Sequence, residues 1–299
     1  MAVATTDRAG AATAGRPASA SARLVKAVTS APVSLFLILV GLLWLVPTFG
    51  LLVASFRSAD ANAESGWWTA LTRPTELTLE PYRNLLDDPT ILSSLWNTVL
   101  ITVPTSLLVV LVSALAAYAF AWMRFPGRDV LFLIVVGLLV VPLQIGLIPV
   151  ARLYDVLGLF GTIPGVVLYH VAFGLPFAIF LLRNFFVGIP SELLEAARMD
   201  GAGELTVFLR VVLPLGIPAI ASLLIFQFLW VWNDLLVALV FAGGSTQPLT
   251  VTIREQLRSF GANIDVIAPA AFLQMLVPLI VFFAFQRYFV QGLLAGSQR

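Results

Sequence analysis

Six long apolar runs, each separated by a polar interval, organise the chain. They lie at about 33–55, 98–121, 130–150, 163–182, 215–241 and 269–285. Each has roughly the 20-residue length at which an α-helix crosses the hydrocarbon of a bilayer. The third is interrupted by Pro142 and Pro149, which a span tolerates where neighbouring helices or water satisfy the freed carbonyls. The pattern predicts an all-α integral membrane fold of six transmembrane helices over residues 32–299. Residues 1–31 lack apolar periodicity, are rich in Ala, Ser, Thr and Gly, and carry Arg8, Arg16, Arg23 and Lys26. They predict a disordered basic tail on the cytoplasmic side. The run from Val33 to Ser55 is too long for a signal-peptide core, so it reads as an uncleaved span despite the small residues at Ala61-Asn62-Ala63.

Between the fourth and fifth runs the sequence turns sharply polar, at Ser191-Glu-Leu-Leu-Glu-Ala-Ala-Arg-Met-Asp-Gly-Ala-Gly203. It predicts a short helix over about 190–203. Pro190 suits the first helical position or its neighbour. Ser191 can cap, and Glu192 and Glu195 complement the helix dipole. Gly201 stands where a left-handed end residue is wanted. Leu193, Ala196 and Ala197 make a small apolar face that another surface can approach closely. Two readings fit: a connector lying on the headgroups, or a contact for a soluble partner.

Composition sets the class. The chain is 60% hydrophobic and 11% charged, with a mean hydropathy of +0.98, far from the balance of soluble domains. The formal net charge of +1 and the lack of a basic stripe with interleaved aromatics argue against nucleic acid. Cys is absent and there is one His, so disulfides, thiolate chemistry and a two-histidine zinc site are excluded. The only Lys, Lys26, is followed by Ala27. A phosphate-cradling loop ends in Lys then Ser or Thr, so this chain cannot cradle ATP by that device, and if ATP drives it another polypeptide supplies the site.

Charge also orients the spans. With the N-terminal tail inside, 11 of the 17 basic residues fall inside: Arg8, Arg16, Arg23, Lys26, Arg124, Arg128, Arg183, Arg198, Arg210, Arg287 and Arg299. Arg57, Arg73, Arg83, Arg152, Arg254 and Arg258 fall outside. The positive-inside rule then puts both termini and the 190–203 helix in the cytoplasm. The interval from Phe56 to Asn97 lies outside, with Trp67 and Trp68 at the interface; Arg152 and Asp155 fall in a short loop.

Few polar residues lie at membrane depth. Asp234, in Trp230-Val-Trp-Asn-Asp-Leu-Leu, is the acidic residue plainly within a span. It marks either a translocation path or subunit seam, or a wetted span end with Asn233 as local partner. Gln144, Gln227 and Gln274 are each isolated, as cross-helix hydrogen bonding would have them. Gln144, between two prolines, is the strongest path candidate of the three. His170 reads as a packing histidine, and Arg287 as snorkelling to the inner headgroups.

The polar stretch continues as Glu195-Ala-Ala-x-x-Asp200-Gly-Ala-x5-Phe208, then Leu213-Pro214 and Pro218. This resembles the EAA motif of the permease subunits of bacterial ABC importers. Tyr82-Arg-Asn-Leu-Leu, Ser94-Leu-Trp-Asn97, the Trp-Asn-acid-Leu segment and the tail Gln291-Gly-Leu-Leu-Ala-Gly296 are similar to the sugar-importer branch, and within it to the six-span maltose-type (MalG-like) subunit. The resemblance implies a coupling helix docking on a cytoplasmic ATPase through Glu192, Glu195, Ala196, Ala197, Arg198, Asp200, Gly201 and Ala202. It implies a path or seam at Gln144, Asn233 and Asp234. It implies a second homologous permease, two ATPase subunits holding ATP and magnesium, an extracytoplasmic solute-binding protein, and no cofactor, metal or catalysis in this chain. The contrasting class is an ion-coupled secondary transporter, which needs midplane carboxylates or broken helices for the coupling ion; only Asp234 qualifies. A membrane-embedded enzyme is disfavoured for want of a paired acid and base.

Overall fold

A computed structural model describes residues 20–257 and 263–297, with side chains over 32–257 and 263–286. The chain divides into two compact units, residues 1–51 and 52–299. The first is the greater part of helix α1 (Ala20–Ser55). From Pro32 onward α1 is long and apolar enough to cross a membrane, and it is apolar on every face, which suits lipid on all sides. The helix begins at Ala20, inside the stretch expected to be a tail; residues 1–19 lie outside the described residues.

The second unit starts with a polar interval carrying α2 (Ala59–Glu64) and α3 (Glu80–Asp87). It continues with α4 (Pro89–Trp122), α5 (Arg128–Leu138), α6 (Leu143–Leu157) and α7 (Ile163–Phe186). Next come α8 (Ser191–Met199), α9 (Glu204–Val207) and a π-helical turn (Phe208–Val212). That turn feeds α10 (Leu213–Trp232), and α11 (Leu236–Phe241), α12 (Leu249–Leu257) and α13 (Ile264–Ser297) complete the unit. Five helices among the described residues are long and apolar enough to cross a membrane, and six when α5 and α6 count as one.

Four expectations need correction. The second span starts at Pro89, because Asp88 caps it by accepting from the Thr90 N–H at 2.8 Å. The third is two helices bent by 100°. Pro142, extended at ψ 133°, stands immediately before α6, and a proline bars the residue ahead of it from helical geometry. Pro149 sits within α6 without ending it, so Arg152 and Asp155 are helical rather than in a loop. The fifth span ends at Trp232 and resumes as α11, leaving Asn233 and Asp234 at a break.

Small residues carry the packing of α4, α7 and α10. Ala114 and Ala117 of α4, Ala178 of α7 and Ala219 of α10 share one core with Tyr118, Leu182, Phe186 and Leu223. With little hydrophobic drive between helices in lipid, close backbone approach supplies the van der Waals contact. Gly174 shows how close: a Cβ there would lie 2.9 Å from Gln227 Nε2.

The polar interval is built around Arg57, whose side chain is fully buried. Its guanidinium donates to the Ala61 carbonyl (2.7 Å), the Ser65 carbonyl (3.0 Å) and hydroxyl (2.6 Å), the Thr69 hydroxyl (3.1 Å) and Glu76 Oε2 (2.9 Å). One forked cation thus closes α2 and two short 3₁₀ turns, Trp67–Leu71 and Pro74–Glu76, into a knot. Breaking a buried, hydrogen-bonded pair costs about 3–5 kcal/mol. Arg57→Ala should therefore lower the melting temperature and open residues 58–77 to protease, and Arg57→Lys should restore less than half of the loss. Unchanged protease resistance in Arg57→Ala would show the knot holds without it.

A clasped polar helix and two broken spans

Helix α8 is held by three devices. Its start is Pro190 at ψ 130°, with no side-chain cap; Ser191 is the first helical residue and does not cap, contrary to expectation. Leu194 is fully buried and packs into the core formed by α4, α7 and α10, with Ala197 and Ala202 against the same core. Burying one leucine is worth about 1.5–3 kcal/mol. The end is a Schellman stop. Gly201, at φ +83°, donates its N–H to the Arg198 carbonyl at 3.0 Å, and Ala202 donates to the Ala197 carbonyl at 3.0 Å.

The third device is polar. Arg198 donates from Nε to Glu204 Oε1 at 3.0 Å and from Nη2 to Oε2 at 3.2 Å. Tyr118, at the end of α4, donates its hydroxyl to Glu204 Oε2. The hydrogen bond from Arg198 to Glu204 raises the arginine pKa above its ordinary value, so the guanidinium stays charged. The Tyr118 ring lies 5.3 Å from that of Phe208 in the π-helical turn. The end of α8, the start of α9 and the end of α4 are one clasp.

What α8 leaves outward is a stripe: Glu192, Glu195, Ala196 and Met199 at i, i+3, i+4 and i+7, flanked by Leu193 and Asp200. Met199 is 84% exposed. Of the residues expected to meet a partner, Glu192, Glu195, Ala196, Asp200 and Gly201 are exposed, whereas Ala197, Arg198 and Ala202 are half-buried toward the chain's own core or clasp. The sequence reading missed Met199 and the anchor Leu194. Two adjacent leucines give no sign of which is buried, but a methionine on an otherwise polar face is itself a signal.

The path candidates are not brought together. Gln144 is on the exposed side of α6 just past the bend. Asn233 donates to the Leu229 carbonyl at 2.8 Å and lines an open groove. Asp234 turns inward. Its carboxylate accepts from the Ala238 N–H at 3.0 Å and the Val237 N–H at 3.4 Å, capping α11. His170 Nε2 of α7 lies 3.5 Å from Asp234 Oδ2, and the histidine is buried. Asp234 is therefore partnered by His170 and the backbone rather than by Asn233. Gln274 donates to the Trp232 carbonyl at 2.8 Å and its own carbonyl accepts from the Trp232 indole at 2.9 Å, so it bonds across a helix pair as expected. Gln227 is buried against Gly174. The side chain of Arg287 and the tail from Gln291 to Gly296 lie outside the described side chains. A cavity of about 800 Å³ lies where the α5–α6 bend meets α7 and α10, walled by Leu139, Leu143, Phe173, Phe177, Phe226 and Trp230.

Residues 9–294 match the family model described as "Binding-protein-dependent transport system inner membrane component". The chain belongs to this family. Among its relatives is the osmoprotective compounds uptake permease protein GgtD of Synechocystis, 46% identical over 89% of this chain and 91% of that protein. Another is the alpha-glucoside transport system permease protein AglG of Rhizobium meliloti, 48% identical over 82% of this chain and 66% of that protein. The crystal structure of a bacterial ABC transporter for import of the acidic polysaccharide alginate shares the fold. It aligns with a TM-score of 0.73 over 92% of this chain and 99% of that one, at 23% identity. The chain is thus a multi-pass permease subunit of an ABC importer, and the ion-coupled reading has no support.

In this permease Asp234 fixes the break in the fifth span from two sides. Asp234→Asn keeps an acceptor for the cap but removes the charge beside His170, and solute uptake in membrane vesicles at matched expression should fall. Asp234→Ala should add a loss of about 1 kcal/mol in thermal stability through the lost cap. Full uptake by Asp234→Asn would remove the carboxylate from the mechanism.

Proposed function

We propose that the permease imports a sugar or oligosaccharide and that α8 is its coupling helix, docking on a cytoplasmic ATPase. The observation that carries the docking reading is the outward stripe Glu192–Glu195–Ala196–Met199 on a helix whose opposite side is anchored by Leu194 and the Arg198–Glu204–Tyr118 clasp. A helix laid in a partner's groove uses anchors at this spacing, and a lever must be stiff at its root. The sugar reading rests on the names of relatives, among them the alpha-glucoside permease. The aromatic wall of the 800 Å³ cavity, Phe173, Phe177, Phe226 and Trp230, supports it, since such rings bury the apolar faces of a solute at little entropic cost.

The assembly is this permease, a second related permease, two ATPase subunits and an extracytoplasmic solute-binding protein. ATP and magnesium sit on the ATPases, and this chain hydrolyses nothing. Both termini and α8 are cytoplasmic, in keeping with the excess of basic residues on that side. ATPase closure moves α8, the clasp passes the motion to α4 and α10, and the passage alternates between its two openings.

Tagged permease purified from its native membrane should bring an ATPase and a second permease. Ala196→Asp, which puts a charge on the outward stripe, should lose the ATPase and keep the second permease. Gly201→Asp, which strains a left-handed position, should do the same. If wild type elutes alone, the importer assembly fails; if both variants keep the ATPase, the docking face fails. Glu204→Gln should keep the subunits together but lower solute uptake per ATP hydrolysed several-fold, because α8 is then loosely joined to α4. Unchanged coupling would exclude the clasp as transmitter.

A further inference from the structure

A groove of about 680 Å³ lies between the end of α10, α12 and α13, with four polar side chains among its lining and an apolar run on α13 beyond them. Asn233, Thr250, Arg254 and Gln274 line it, and they cluster. Gln274 bonds Trp232, next to Asn233, at 2.8 Å, and the Thr250 hydroxyl donates to the Asp234 carbonyl at 2.7 Å. Arg254 is one helical turn beyond Thr250 on the same face of α12. The apolar lining continues along α13 through Pro278, Leu279 and Phe282, to about 12 Å beyond Gln274 at the helical rise. That is most of one leaflet's hydrocarbon depth, roughly 15 Å. Arg254 is half-buried and has no hydrogen-bond or ion-pair partner among the described residues. A guanidinium at the mouth of an apolar wall calls for an anion carrying a hydrocarbon chain.

We propose that this groove binds one anionic phospholipid, its phosphate on Arg254 and one acyl chain along Pro278, Leu279 and Phe282. A soluble sugar lacks the chain that this wall would bury, and a helix of a second permease would leave the arginine facing apolar side chains at a desolvation cost. The groove shares Leu229 with the aromatic cavity but no other lining residue, and no residue of α8 lines it.

The test uses the tagged permease with its co-eluting subunits, incubated with vesicles of phosphatidylglycerol in phosphatidylcholine and examined by native mass spectrometry. One phosphatidylglycerol per permease should be retained, preferred at least tenfold over phosphatidylcholine. Arg254→Gln should lower its retention at least tenfold, and Leu279→Trp, which fills the apolar half, should do likewise with the subunits still assembled. Because the chain has no cysteine, Leu279→Cys gives a single labelling site, and a fluorophore there should be quenched by phosphatidylglycerol spin-labelled on its acyl chain. Equal retention by both variants, equal retention of phosphatidylcholine, protection of the cysteine by oligosaccharide, or its cross-linking to a second permease would each overturn the proposal.

Discussion

Hydrocarbon offers no hydrogen bonds, so every interruption of a spanning helix must be satisfied by the protein itself. Two interruptions define this structure, and nearby groups take up hydrogen bonds at each. At the α5–α6 bend the chain tightens into i→i−3 bonds, with Leu139, Val140 and Val141 donating to Val136, Gly137 and Leu138. Tyr169 of α7 donates its hydroxyl to the Leu143 carbonyl at 2.7 Å. At the α10–α11 break the Asp234 carboxylate takes two N–H groups, Thr250 donates to the Asp234 backbone carbonyl, the Gln274 amide donates to the Trp232 carbonyl, and the Trp232 indole donates to the Gln274 backbone carbonyl. The aromatic-walled cavity borders the first interruption and the Asn233 groove the second. Open space sits where the helices are broken because an unbroken, close-packed bundle leaves none.

Helix α8 meets the opposite problem. Nine residues are too few to hold a helix in water by propensity alone, and its outer side is exposed among the described residues. Its order comes from its inner side. The buried Leu194 supplies the apolar part, and the Schellman stop at Gly201 fixes where the chain leaves. The Arg198–Glu204 pair is partly exposed, and such pairs contribute little alone; what distinguishes this one is its bidentate geometry and the third member, Tyr118, brought from α4.

How much of this was legible depended on sequence distance. The Gly201 stop, the polar helix and the spans were readable because their signals are local: a glycine ten residues into a helix, an acidic first turn, a run of apolar residues. Pro142 announced an interruption, but a proline says nothing of the angle, and the 100° bend arises from how α6 packs its Leu147 and Tyr154 on α7 and α11. His170 and Asp234 are 64 residues apart, so no local signal pairs them; the approach of α7 to the α10–α11 break does. Arg57 looked like one more exterior cation, and only the turns that close on it show that it is the centre of its interval. The partner of Arg198, Glu204, lies beyond the glycine stop, so no signal within the helix announces the clasp.

Helix α4 joins the two ends of the second unit. At 34 residues it is about 51 Å long by the helical rise. Its last turns carry Tyr118 in the clasp and Trp122, whose indole donates to the Phe186 carbonyl at 3.0 Å. Its first turns hold the segment after α11: Asn97 donates to the Ser245 and Gln247 carbonyls, Ser94 bonds Thr252 at 2.7 Å, and the Thr98 hydroxyl accepts from the Leu249 N–H. The same helix is therefore bonded to the root of α8 at one end and to the segment leading into α12 at the other. A displacement of α8 cannot shift the clasp without loading α4, and α4 cannot tilt without pulling on residues 245–252. The break at Asn233–Asp234 lies between them and is pinned from both sides: its N–H groups still donate to the Leu229 and Val231 carbonyls of α10, while the Asp234 carboxylate holds α11 and its carbonyl holds Thr250 of α12.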